Sequence, residues 1–181
     1  KGQAAPTLRR GVQTKSMAEP SIQSNVNPIG LAIASGYTFV ARGYAMAQAD
    51  LADLIVQAVQ HRGTALLDIL QPCPIYNDLM TTDFFRGSDI GSPRVYRLSE
   101  EGFDGRVQDS GNPDEIVAKQ QAALAKSFEW GDQIPTGVLY QVDMPTYEDG
   151  LASRHADLAS KNLVELMEPG QDVSGLEDRY R

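Results

Sequence analysis

Residues 27–70, NPIGLAIASGYTFVARGYAMAQADLADLIVQAVQHRGTALLDIL, decide the fold class. Asn27 is a good helix N-cap, Pro28 suits the first helical position, the apolar run Ile29–Ser35 suits a short buried helix, and Gly36 can end it. Tyr37-Thr38-Phe39-Val40-Ala41 is aromatic and β-branched, which favours a strand, and Arg42-Gly43 is expected to stop it. Asp50 can cap a helix in which Leu51, Leu54, Ile55, Ala58 and Val59 repeat at helical spacing, with Gly63 as its stop. Thr64–Leu70 is then almost continuously apolar, broken only by Asp68, as expected of a parallel strand covered on both faces. Helix, strand, helix and strand with short links predict an α/β fold, a parallel sheet flanked by helices.

Outward from this block the pattern is less regular. Residues 1–26 mix Gly, Pro, Thr, Ser and Gln without a period and read as loop. Pro72–Pro93 reads as a long ordered loop with Phe84-Phe85 as its apolar anchor, a length typical of functional or flexible segments. A short strand is expected near Arg94–Leu98. Asn112, Pro113 and Glu115 then open a helix with an apolar stripe of Ile116, Val117, Ala123, Leu124 and Phe128, closed by Gly131. Val138–Val142 suits a further strand, Leu151–Met167 a helix, and Gln171–Arg181 a frayed tail, so that a single domain over 1–170 is expected.

The composition narrows function. Sixteen Lys and Arg against 24 Asp and Glu give a net charge of −8, the wrong sign for a surface that tracks phosphates, and nucleic acid is not expected as a partner. No apolar run reaches the ~20 residues of a membrane helix, so no membrane association is expected. A single cysteine cannot form an internal disulfide, and residues 1–10 hold no apolar stretch resembling a signal peptide, so a cytoplasmic location is expected. His61 and His155 lie near helix ends without a partner at metal-ligand spacing, and the helix dipole accounts for His61. Glu100-Glu101 and Glu148-Asp149 read as solvated turn residues, and no phosphate loop or nucleophile elbow occurs.

Cys73 has an unusual setting, directly after a predicted strand and between Pro72 and Pro74, at the end of an α/β sheet where functional loops gather. Two readings are open: an inert, buried small hydrophobe, or a thiolate ligand of an iron–sulfur cluster whose other ligands come from elsewhere.

Several motifs, in order, resemble one family. Lys1-Gly2-Gln3-Ala4-Ala5-Pro6-Thr7, Asn27-Pro28-Ile29, Ala34-Ser35-Gly36-Tyr37-Thr38-Phe39-Val40-Ala41-Arg42-Gly43, Asp68-Ile69-Leu70-Gln71-Pro72-Cys73-Pro74-Ile75-Tyr76-Asn77, Ile134-Pro135-Thr136-Gly137-Val138-Leu139-Tyr140 and Pro145-Thr146-Tyr147-Glu148 are similar to the β subunit of 2-oxoacid:ferredoxin oxidoreductases. The resemblance implies a thiamine-diphosphate-binding α/β fold and oxidative decarboxylation of a 2-oxoacid to its acyl-CoA, with electrons leaving through a [4Fe–4S] cluster to ferredoxin. It implies Cys73 as one cluster ligand, and Lys1, Gly2, Gln3 and Thr7 as residues lining the thiamine diphosphate and Mg2+ site, with Lys1 and Gln3 as the candidate catalytic residues. The family's diphosphate motif and its other three cluster cysteines precede the point that matches Lys1, so the chain is expected to be the C-terminal portion of a β subunit, inactive alone. Its implied partners are the remainder of that subunit, an α (or fused γα) subunit and ferredoxin, with CoA and a 2-oxoacid as substrates. The competing reading is a non-catalytic α/β module whose loop Pro72–Pro93 binds a protein.

Overall fold

The computed structural model describes residues 3–154. They fall into two units, one ending at Met144 and one beginning at Pro145. The first contains helices α1 (Pro28–Ala34), α2 (Gln48–Gln60), α3 (Thr82–Arg86) and α4 (Pro113–Ser127), and strands β1 (Phe39–Tyr44), β2 (Ala65–Leu70), β3 (Val95–Arg97) and β4 (Ile134–Gln141). In the second, Thr146 and Asp149 cap α5 (Tyr147–Arg154) reciprocally, the Thr146 amide donating to Asp149 Oδ2 (2.9 Å) and the Asp149 amide to Thr146 Oγ1 (3.2 Å). The predicted helix Leu151–Met167 therefore starts earlier, at Tyr147. Its later part, His155 and the expected tail 171–181 lie outside the described residues. No helix among the described residues is long and apolar enough to cross a membrane.

The four strands form one sheet in the order β2-β1-β4-β3, with helices packed on it. β1-α2-β2 and β3-α4-β4 are each β-α-β units with parallel strands, as a helical crossover requires. The two units join through β1 and β4, which run antiparallel, so the sheet is mixed and the expected parallel pairing holds within each unit. At this junction the register slips between Val40 and Ala41: Val40 faces Tyr140 and Ala41 faces Val138, leaving Leu139 as the extra residue of a bulge. The slip turns two consecutive side chains, Leu139 and Tyr140, into the same core cluster, with Ile29, Ile33, Val40, Leu98 and Ala123. Phe39, Ala41 and Leu54 form a second cluster. Alternation along β1 thus sends Val40 toward α1 and α4, and Phe39 and Ala41 toward α2.

Several boundaries differ from the sequence reading. β1 does not stop at Arg42-Gly43 but continues through both to Tyr44, because Arg42 sits opposite Asp68 of β2 and its Nε donates to Asp68 Oδ2 at 2.9 Å. β2 is an edge strand, half-open to solvent with Ile69 46% exposed, rather than covered on both faces. Asp50 does not cap α2; it lies in the first turn and binds Arg97 at 2.7 Å, while the N-cap is Ala47 without a side-chain bond. In α4, Val117, Leu124 and Phe128 of the expected stripe are exposed, and Ala123 is fully buried. The Asn112 cap is present, its side-chain oxygen accepting from the Asp114 and Glu115 amides. Glu115, however, turns back to accept from the amides of Gln108 and Asp109 (2.7 and 3.1 Å).

The segment Pro72–Pro93 is ordered by side chains and one short helix. Thr81 caps α3, and Arg94 holds the segment from beneath: its Nη1 donates to the Phe84 carbonyl (2.8 Å) and to Asp89 (2.6 Å), while the guanidinium lies 4.5 Å from the Phe84 ring centre. The described residues before α1 contain no regular element but are tied down, with Leu8 and Met17 in the core and reciprocal backbone bonds between residues 11–12 and Ser21.

Two consequences are measurable. A Cβ at Gly105 would lie 2.2 Å from the Leu139 carbonyl oxygen, inside the bulge, so Gly105→Ala should lower unfolding stability by about 1–3 kcal/mol in urea titration, the range for overpacking. The Arg94 hydrogen bond holds the Asp89 carboxyl down at about 2 from its ordinary 3.8. A carboxyl with a depressed native pKa stabilises fully above its ordinary value and loses that contribution as pH falls through the depressed one. The ring resonances of Phe84 and Phe85 should therefore shift between about pH 4 and pH 2, and Asp89→Asn should remove that step.

Candidate functional site

β2 ends where the chain meets Pro72, which has no N–H to continue a ladder. Past it, the Cys73 carbonyl accepts from the amides of Tyr76 (3.3 Å) and Asn77 (2.9 Å), forming a turn, and Asn77 Oδ1 accepts from the amides of Leu79 and Met80 (both 3.0 Å). The opening loop braces this turn from outside: the Lys15 amide donates to Asp78 Oδ1 at 2.8 Å, and its ammonium donates to the Pro74 carbonyl. Cys73 is thus held in a defined turn, half-buried and free of any disulfide, with proline on both sides.

The turn opens on a cleft of about 290 Å3. One wall comes from the opening loop through Thr7, Arg9, Asn25 and Val26. Another comes from the start of α1 and the end of α4, through Asn27, Ser127 and Trp130. The floor is the C-terminal part of β1 and β2, through Arg42, Asp68 and Leu70. Asn27 joins two of these pieces. Its Oδ1 accepts from the Gly30 amide (3.1 Å) as the cap of α1, and its Nδ2 donates to Ser127 Oγ (2.7 Å) at the end of α4.

Arg42 is a buried charged residue of the cleft's lining. Its side chain is 5% exposed; Nε is bound to Asp68, and the guanidinium lies 5.9 Å from the centre of the Trp130 ring. Its Nη1 is buried and has no hydrogen-bond partner. A buried donor left unpaired costs about 1–3 kcal/mol, so this nitrogen is a directional donor without an acceptor.

Of the residues that the sequence points to, the fold brings Thr7 and Cys73 onto the same cleft. Gln3 is exposed and is not among the cleft's lining residues, and Lys1 and Gly2 lie outside the described residues. Arg42, Asp68 and Trp130 belong to the site without being distinguished by the sequence reading. The available signal is a charge in the middle of each of two strand runs, Arg42 in FVARGY and Asp68 in ALLDIL, which read separately as interruptions and are partners in space. No three His, Cys, Asp or Glu residues gather into a metal-binding group among the described residues.

A second cavity, of about 380 Å3, lies beside α2 and contains none of the predicted site residues. Its arginines are engaged, Arg97 with Asp50 at 2.7 Å and Arg106 Nη2 donating to Gln57 at 2.9 Å. His61, at the end of α2, shares a 2.7 Å hydrogen bond with Thr38 and packs on Phe39; burial lowers its pKa, opposed by Asp143. These contacts account for His61 without the helix dipole.

Residues 73–155 match the family model for the C-terminal part of the beta subunit of pyruvate ferredoxin oxidoreductase. The chain belongs to this β-subunit family. It is 47% identical over 156 residues to the 2-oxoacid:ferredoxin oxidoreductase subunit beta of Saccharolobus solfataricus, covering 85% of this chain and 48% of that relative. Subunit beta of 2-oxoacid:ferredoxin oxidoreductase 1 from Aeropyrum pernix is 44% identical over 187 residues, covering all of this chain and 56% of its own length. Among solved structures, the 2-oxoglutarate:ferredoxin oxidoreductase from Magnetococcus marinus, with 2-oxoglutarate, coenzyme A and succinyl-CoA bound, superposes with a TM-score of 0.71 at 26% identity, covering the whole of this chain and 53% of that one. The chain thus spans about half the length of the family members it matches.

The bridge from α1 to α4 gives this β-subunit segment a local test. Asn27→Ala should lower its unfolding stability by about 0.5–2 kcal/mol in denaturant titration, as for loss of a helix cap, whereas Asn27→Asp, which keeps the capping oxygen, should lose less.

Proposed function

We propose that this chain is the C-terminal half of the β subunit of an enzyme that oxidatively decarboxylates a 2-oxoacid to its acyl-CoA and passes the electrons through a [4Fe–4S] cluster to ferredoxin. The observation that carries the reading is the convergence of Thr7 and Cys73, 66 positions apart in sequence, on one cleft at the carboxyl end of β1 and β2.

The residues fit a cluster-bound thiolate. Cys73 is half-buried, held in a hydrogen-bonded turn and accompanied by a buried cation, which suits an anionic, sulfur-ligated group. The chain contains one cysteine, so the other three ligands would come from the remainder of the subunit. For thiamine diphosphate and its Mg2+ the support from the described residues is one side chain, Thr7, and the roles of Lys1, Gly2 and Gln3 rest on the motif that they form. Thiamine diphosphate, when bound, supplies the electron sink for decarboxylation. This chain's own part is to hold Cys73 in place, to screen the cleft with Trp130 and Phe85, and to keep a fixed positive group within it. The reading further implies an α (or fused γα) subunit, ferredoxin and CoA as partners, in the cytoplasm.

In the complete heteromer, Cys73→Ala should reduce cluster iron and depress ferredoxin reduction at least tenfold with saturating 2-oxoacid and CoA. Full iron content with normal ferredoxin reduction would remove Cys73 as a ligand. A purified complex with neither iron nor thiamine would instead favour the protein-binding module built on residues 72–93.

A further inference from the structure

β2 has the composition of an interior strand and the position of an edge strand. Its sequence ALLDIL is apolar except for Asp68, which is engaged by Arg42, and so shows the near-continuous pattern of a parallel strand with neighbours on both sides. In the order β2-β1-β4-β3, one side of β2 is paired. The register shows which groups are left over. The Phe39 amide donates to the Thr64 carbonyl (3.1 Å) and the Ala45 amide to the Leu70 carbonyl (2.9 Å), so the even-numbered residues of β2 bond β1. The amides and carbonyls of Ala65, Leu67 and Ile69 point away from β1 and meet no partner among the described residues.

An open edge is a template for pairing, and proteins blunt it with short strands, Lys, Pro or a bulge. The opposite edge is blunted, since β3 has three residues and ends in Arg97. β2 has six residues, neither Lys nor Pro, and an unbroken register with β1. The helix packed beside it carries a matching apolar flank. Asp50, Asp53 and Gln57 of α2 line the second cavity with residues of β3 and β4. Helical spacing puts Ile55 and Val59 on the opposite flank, toward β2 and past its edge, where they are 43% and 79% exposed. Unpaired backbone and uncovered apolar side chains thus border the same side of the sheet.

We infer that β2 is an interior strand of the complete subunit, paired along this edge with a parallel strand from the half of the β subunit that precedes this chain. The pairing rests on the half-subunit reading of the proposed function. The chain spans about half the length of its relatives, and residues 73–155 match the C-terminal part of the family's subunit, so the remaining half lies before it. The apolar run of β2 favours a parallel neighbour, because parallel strands are the ones covered on both faces. A second copy of the chain would instead meet β2 about a two-fold axis, which sets the two strands antiparallel in a continuous sheet. A parallel strand also ends at the Cys73 end of the sheet, and so delivers the residues that follow it to the cleft where the other cluster ligands are needed.

The test uses the complete β subunit in its heteromer. Amide hydrogen exchange at single-residue resolution should show Ala65, Leu67 and Ile69 protected to within about tenfold of Leu66 and Asp68, whereas an open edge leaves the three outward amides exchanging at least about 100-fold faster. A photoreactive benzophenone side chain introduced at Ala65, which is exposed on β2, should capture a peptide from the preceding half of the same subunit, identified by mass spectrometry. Fast exchange at the three outward amides, or capture of a peptide from the α subunit or from a second copy of this segment, overturns the pairing. A native subunit no longer than this chain overturns the half-subunit reading, and the pairing with it. A heteromer that shows the protection and the capture but holds neither iron nor thiamine upholds the pairing and overturns the catalytic reading instead.

Discussion

The ion pair between Arg42 and Asp68 is the constraint on which the site depends. A charged residue in the middle of a buried strand is tolerated only if a partner offsets its lost hydration, and losing one member of a fully buried pair costs about 3–5 kcal/mol. Asp68 is 26% exposed, so the cost here lies below that range, yet it still penalises any slip of β1 against β2. The register that places Arg42 opposite Asp68 also places Tyr44 opposite Leu70, so both strands reach the same end of the sheet together. From that end β2 passes through Gln71 and Pro72 into the Cys73 turn.

Around this pair the chain assembles a pocket from pieces remote in sequence. Asn27 ties α1 to α4, Lys15 ties the opening loop to the Cys73 turn, and Arg94 ties residues 84–89 to the sheet. Each tie uses one polar side chain to satisfy backbone or side-chain groups that would otherwise lie unpaired, so segments without regular structure still hold a fixed shape. Lys126, Glu129 and Tyr96 form a linked set (2.8, 2.5 and 2.9 Å) that raises the Lys126 pKa, and with the half-buried tyrosine it secures the end of α4 beside the cleft wall formed by Ser127 and Trp130.

Much of the secondary structure is legible in the sequence because its signals are local. The Asn27-Pro28 and Asn112-Pro113 starts, the periodicity of α2 and the apolar runs of β1, β2 and β4 all act within a few residues, and each element occurs. The differences share a cause. Arg42-Gly43 reads as the end of a strand, Asp50 as a cap and Leu124 as core because in each the deciding partner, Asp68, Arg97 or the solvent, lies far away in the chain or outside it. In the site, Cys73 stands out through its flanking prolines, whereas Arg42 can be recognised only once its partner and its unused donor are placed in space.

The sequence by itself determined the α/β class and the family, since helix and strand signals act locally and an ordered string of motifs is specific. Only the tertiary structure decided that the two units join antiparallel, that a bulge at Leu139 turns two neighbouring side chains into one core, and that Thr7, Arg42 and Cys73 share a cleft. Pairing between distant strands is governed by which faces can be buried together and which charges can meet, and those are properties of the assembled sheet that no short stretch of chain contains.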